Sequence, residues 1–109
     1  VNDPAAILRT LQAIEQDLAE RQNDFSQAAG NRARLVREVE YEQALAFAKA
    51  PGNTTEKRER SKVAVGGSQA YKDLTAAEAT YDACKAAVGV LETRASIGQT
   101  LLRTLREAA

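Results

Sequence analysis

Stepping alternately by four and three residues from Ala70 reaches Leu74, Ala77, Tyr81, Cys84, Val88, Leu91, Ala95, Gly98, Leu102, Leu105 and Ala109, and none carries a charge. An uncharged stripe held for more than five heptads is the seam of a helix packed lengthwise on another helix, at the 3.5-residue period of a coiled coil. The pattern predicts an all-α chain and calls for a second helix to cover it.

That second helix lies at the other end of the chain. Asn2-Asp3-Pro4 reads as a helix start, with Asp3 capping the orphan amides and Pro4 at the first helical position. The same stepping then gives Ile7, Leu11, Ile14, Leu18, Arg21, Phe25, Ala28, Arg32, Leu35 and Val39, of which eight of ten are apolar. Past Val39 the apolar residues drift to Tyr41, Leu45 and Phe47-Ala48, the mark of a stutter or a wider apolar face. Gly30-Asn31 lies off the seam while the register continues across it. A local weakening is expected there, since Gly costs about 1 kcal/mol against Ala in a helix.

Pro51-Gly52-Asn53-Thr54 is the clearest punctuation: Pro51 disfavours helical geometry at Ala50, and Gly52-Asn53 tolerates positive φ. Asn53, Thr54 or Thr55 can cap the helix that opens with Glu56-Lys57-Arg58-Glu59-Arg60. The expected fold is one long antiparallel helical hairpin with arm 3–50, turn 51–54 and arm 55–108. Gly66-Gly67-Ser68 leaves two readings open. Either the helix runs through and Val63 joins the seam, or Ser68 caps a new helix and leaves 55–65 as a short basic helix able to swing.

Pairing residues whose numbers sum to 109 aligns the two seams. Leu11 then meets Gly98, Ile14 meets Ala95, Leu18 meets Leu91, Phe25 meets Cys84, Ala28 meets Tyr81 and Leu35 meets Leu74. Larger residues mostly face smaller ones, which lets side chains interdigitate. The chain holds twenty-two Ala, two Phe, three Tyr and no Trp or Met. That composition suits long helices with thin seams rather than a rounded core. One thin seam is marginal for arms of this length. Ala87, Val90, Ile97 and Leu101 flank it and widen the apolar face, so a second surface and a homo-oligomer are expected.

Fifteen basic and fifteen acidic residues balance, with the basic excess in the middle of the chain. Arg34, Arg37, Lys57, Arg58, Arg60 and Lys62 form a candidate contact for a phosphate backbone or a protein partner. The opposing reading is a solvated tip, because Glu38, Glu40, Glu42, Glu56 and Glu59 are interleaved for i,i+4 pairing. Arg21 and Arg32 are read as register-fixing polar seam residues whose stems follow the seam, and Cys84 as a small apolar packing residue. Thr75-Ala76-Ala77-Glu78 matches a capping box but lies inside the seam, where no helix starts. With no His and one Cys, no metal-ligand set, disulfide framework or neutral-pH general base is expected. Enzymatic activity, a cofactor and a small-molecule substrate are therefore not expected. No apolar run approaches the roughly 20 residues that span a bilayer, and with no basic-then-apolar segment at Val1 a secretory leader is not expected. Val1 reads as an alternative start codon, and the cytoplasm is the expected location.

Two stretches carry a family resemblance. One is Glu42-Gln43-Ala44-Leu45-Ala46-Phe47-Ala48 with the charged start Thr55-Glu56-Lys57-Arg58. The other is Lys85-Ala86-Ala87-Val88-Gly89-Val90-Leu91-Glu92-Thr93-Arg94 leading into Ser96-Ile97-Gly98-Gln99-Thr100-Leu101-Leu102-Arg103. Together they resemble small helical, coiled-coil-type proteins of tailed bacteriophages and prophages, often encoded near replication and recombination genes. The resemblance implies the cytoplasm of an infected or lysogenic bacterial host. The resemblance assigns no role to any residue, and three functions stand as expectations: a non-enzymatic phage-type scaffold that oligomerises and recruits a protein partner, a nucleic-acid-binding accessory, or, apart from the resemblance, a secreted helical-hairpin effector. The last type is expected to carry a Trp-x-Gly turn, where this chain has Pro51-Gly52-Asn53.

Overall fold

The computed structural model describes residues 3–108. The readings made at Val1, Asn2 and Ala109 lie outside the described residues. The fold is an all-α antiparallel helical hairpin, with no strand among the described residues. Helix α1 is Pro4–Lys49, α2 is Thr54–Gly66 and α3 is Gln69–Ala108. Asp3 caps α1: its side chain accepts from the Ala5 amide at 3.1 Å and its carbonyl accepts from the Ile7 amide at 3.0 Å. With Pro4 as first helical residue, this is the start that the sequence implies. Helix α1 runs unbroken through Gly30.

Two compact units make up the chain: Val1–Ser26 with Ala83–Ala109, the terminal unit, and Gln27–Asp82, the turn unit. In the terminal unit Leu11, Val88, Leu91, Ala95 and Leu102 are buried, while Ile7, Ile14, Leu18, Phe25, Cys84, Gly98 and Leu105 are half-buried. Of the described seam positions, only Arg21 is exposed; its Nε lies 3.7 Å from the Asp17 carboxylate one turn back. The register is fixed by one close approach. A Cβ built on Gly98 would lie 2.6 Å from Leu11 Cδ2 and 3.1 Å from its Cγ, so Leu11 occupies the space a side chain would need. These two residue numbers sum to 109, as the seam pairing requires.

In the turn unit Ala28, Leu35 and Ala77 are buried, and Arg32, Val39, Leu74 and Tyr81 are half-buried. Fully burying a Leu such as Leu35 contributes roughly 1.5–3 kcal/mol, so a few such residues carry much of a thin seam. The Arg32 guanidinium lies 5.2 Å from the Tyr81 ring centroid and 3.9 Å from Glu78 Oε1. Side chains on a helix lean toward its N-terminus. Arg32 accordingly reaches back to the level of Ala28, which the register pairs with Tyr81.

The turn differs from a plain loop between two arms. The Ala50 amide donates to the carbonyls of Ala46 and Phe47, closing α1. Gly52 then takes φ +104°, a left-handed geometry that L side chains rarely adopt. Asn53 caps α2 by accepting from the Glu56 amide at 2.9 Å, and Glu56 in the first turn suits the helix dipole. Arg60 ties the turn by donating to the Pro51 carbonyl at 2.6 Å, with Glu56 Oε2 at 3.8 Å.

At Gly66-Gly67-Ser68 the helix breaks. The Ser68 amide donates to the Val65 carbonyl, and the Ser68 hydroxyl accepts from the Tyr71 amide at 3.2 Å. Helix α2 is nevertheless docked rather than free to swing, because Ser61 is 1 % exposed and Val65 is also buried. The through-running register fails with it: Val63 is 79 % exposed. The drift beyond Val39 also takes another path. Tyr41, Leu45 and Ala48 are exposed, and the half-buried residues are Glu42, Gln43, Ala46, Phe47 and Ala50. The cause is α2, which faces this end of α1: Glu40, Gln43, Ala44 and Phe47 line a groove with Arg58, Ser61 and Lys62. Inside α3 the Thr75 hydroxyl donates to the Tyr71 carbonyl and caps nothing.

Candidate interaction surface

Beside the seam of the terminal unit, α3 presents a second stripe. Ala87, Val90, Arg94, Ile97 and Leu101 follow one another by three and four residues, so they share one helical face. Val90, Ile97 and Leu101 are 51 %, 56 % and 49 % exposed, and Ala87 is half-buried. Of the four residues expected to widen the apolar face, three are therefore uncovered large aliphatics.

Where this stripe meets α1 it borders an open groove of about 380 Å³, lined by Ala6, Ile7, Thr10, Leu11 and Ile14 opposite Arg94, Ile97, Gly98 and Leu101. Gly98 creates the groove floor by admitting Leu11. The flanking hydroxyls add little polarity: Thr10 donates to the Ala6 carbonyl at 3.0 Å, Thr93 to Gly89 and Thr104 to Thr100. Arg94 is the one charge in the lining, and among the described residues it has no hydrogen-bond or ion-pair partner. Ala6, Thr10 and Arg94 do not stand out in a pattern marked by large apolar residues. The signal for Arg94 is that it is the lone charge on its side of α3 from Ala83 to Thr104.

The turn unit holds the six basic candidates, and the structure divides them. Arg34 pairs with Glu38 at 2.7 Å and donates to Asn31 Oδ1 at 2.8 Å. Lys62 sits 3.7 Å from Glu59. Arg60 is committed to Pro51 and Glu56. Lys57 lies 5.8 Å from the centroid of Phe47. Arg37 and Arg58 have no hydrogen-bond or ion-pair partner among the described residues. The interleaved glutamates thus take up half of the set, as i,i+3 and i,i+4 neighbours on a helix do. Arg58 and Lys62 both border the α1–α2 groove beside Glu40.

Among the described residues no group of three His, Cys, Asp or Glu is arranged to hold a metal ion, and no helix is long and apolar enough to cross a membrane. Cys84 is half-buried and free. No protein-family model, curated protein or solved structure matches the chain.

Proposed function

We propose that this chain is a non-enzymatic interaction protein, a helical scaffold of the phage type that associates with itself and holds a protein partner. The observation that carries the reading is the uncovered aliphatic stripe Val90–Ile97–Leu101 beside an apolar groove. Exposed apolar surface gathered on one helical face, interrupted here by the single charge of Arg94, marks an interaction site. The thin seam supplies the thermodynamic motive, since association removes from water the surface that one hairpin leaves exposed. Sedimentation equilibrium across the micromolar range is expected to show reversible association, with a melting temperature that rises with protein concentration. A strictly monomeric chain at high micromolar concentration, with a constant melting temperature, overturns the proposal.

Arg37 and Arg58 favour a second reading, contact with a nucleic-acid backbone at the turn unit. Because the neighbouring cations are paired with glutamates, few phosphates can be neutralised. Binding to DNA would then show a shallow salt dependence, a log–log slope of about −2 for two contacts at about 0.9 per phosphate. Arg37→Glu with Arg58→Glu should abolish it. No detectable binding at low salt removes this reading and leaves the first intact.

A further inference from the structure

We propose that the terminal unit self-associates through one defined two-fold contact, in which α3 of each copy lies along α1 of the other and Arg94 faces Asp17 of the second copy. This rests on the self-association proposed above and specifies its face and geometry.

The two helices of the terminal unit offer complementary halves. Helix α3 presents large side chains at Val90, Ile97 and Leu101. Helix α1 presents small ones on the groove side, Ala6 and Thr10, with Ala13 exposed next along the same face. Large residues from one copy facing small ones from the other reproduce the packing rule of the intrachain seam. One surface patch thereby satisfies itself, the requirement for an isologous interface.

Charge selects the same arrangement. Among the described residues Arg94 has no hydrogen-bond or ion-pair partner, and it is the only charge in the groove lining. On α1 the stripe that begins with Ala6, Thr10 and Ala13 continues to Asp17 and Glu20, both acidic. Among the described residues Asp17 is held only by Arg21 at 3.7 Å, with both side chains about half exposed. An exposed i,i+4 pair of this kind holds its partners weakly, so the Asp17 carboxylate can turn to a new cation.

Register supplies the third constraint. Within one chain α1 and α3 run antiparallel with Leu11 on Gly98. A two-fold axis along the helices places α3 beside α1 of the second copy, again antiparallel and in the same register. Ile97 then falls between Thr10 and Ala13 of the second copy, and Leu101 between Ala6 and Thr10. Arg94 falls just short of Asp17, and its side chain leans toward the N-terminus of α3, which is the direction of Asp17. The symmetry makes the contact twice.

The test is a charge exchange read by sedimentation equilibrium. Arg94→Glu alone and Asp17→Arg alone each place like charges in both contacts, and each should weaken self-association at least tenfold. An equimolar mixture of the two variants should form a one-to-one heterodimer, because each contact then joins opposite charges. The double variant should associate as the unaltered chain does. Both positions are at least partly exposed, and circular dichroism confirms that each variant keeps its helices. If the unaltered chain associates and the single variants associate equally tightly, this face is wrong while self-association stands. If the unaltered chain stays monomeric and captures only a different protein, both proposals fall.

Discussion

Leu11→Ala should destabilise the protein by about 2–5 kcal/mol, the range for truncating a buried Leu, and Gly98→Leu by about 1–3 kcal/mol through overpacking. Combined, the two should cost clearly less than their sum. Leu11 is buried and fills the space over Gly98, where a built Cβ would meet Leu11 Cδ2 at 2.6 Å. The first change removes the side chain from its hole, and the second fills the hole while the side chain is still there. Making both moves the bulk across the seam. Thermal or urea unfolding of the four species gives a coupling energy, expected at about 1–3 kcal/mol for residues that share a space. Additive costs would show that Leu11 and Gly98 do not compete for it. Gly30 and Gly89 provide the control, because a Cβ at either meets nothing within 4 Å. Gly→Ala there should stabilise by about 0.5–1 kcal/mol through helix propensity.

Ser61→Leu should displace α2 from α1, at a cost of about 1–3 kcal/mol, whereas Ser61→Ala should change stability by less than about 0.5 kcal/mol. Ser61 is 1 % exposed, so a larger side chain must push aside the atoms that cover it. Its hydroxyl donates only to the Arg58 carbonyl of its own helix, at 2.8 Å. Ala loses that bond and gains helix propensity. Hydrogen exchange separates the outcomes: in Ser61→Leu the amides of Thr54–Gly66 should lose protection while those around Val88 and Leu91 keep it. Unchanged protection in α2 would mean that the space beside Ser61 is open.

The seam was legible because its signal is redundant. Every described position of the Ala70 stripe, from Leu74 to Leu105, is buried or half-buried, and no single residue had to be read correctly for the period to appear. Where the signal rested on two or three residues, local apolarity misled. Val63 and Val65 look equivalent in sequence, yet only Val65 is buried, and the best-buried residue of α2 is the polar Ser61. Tyr41 and Leu45 outweigh Gln43 in hydrophobicity, but the docking of α2 selects Gln43 and Phe47. In the basic cluster, composition showed both charges and could not show which cations find a partner. The interaction surface was half visible: its aliphatic residues stood out, and its small α1 side did not, because Ala and Thr carry no apolar signal of their own.

The junction at Gly67-Ser68 has a consequence for how this chain can change length. Helix α2 closes on the Val65 carbonyl, which accepts from the Ser68 amide, and α3 opens on the Ser68 side chain, so both ends are completed at the junction itself. A residue inserted within α3 would rotate everything beyond it by about 100°, given 3.6 residues per turn, and would turn the aliphatic stripe into the seam's place. A residue inserted at Gly67 changes only the distance between two finished helices. The hairpin thus keeps a position near its turn where length can vary while the phase of α3, and with it the face that carries Arg94, stays fixed.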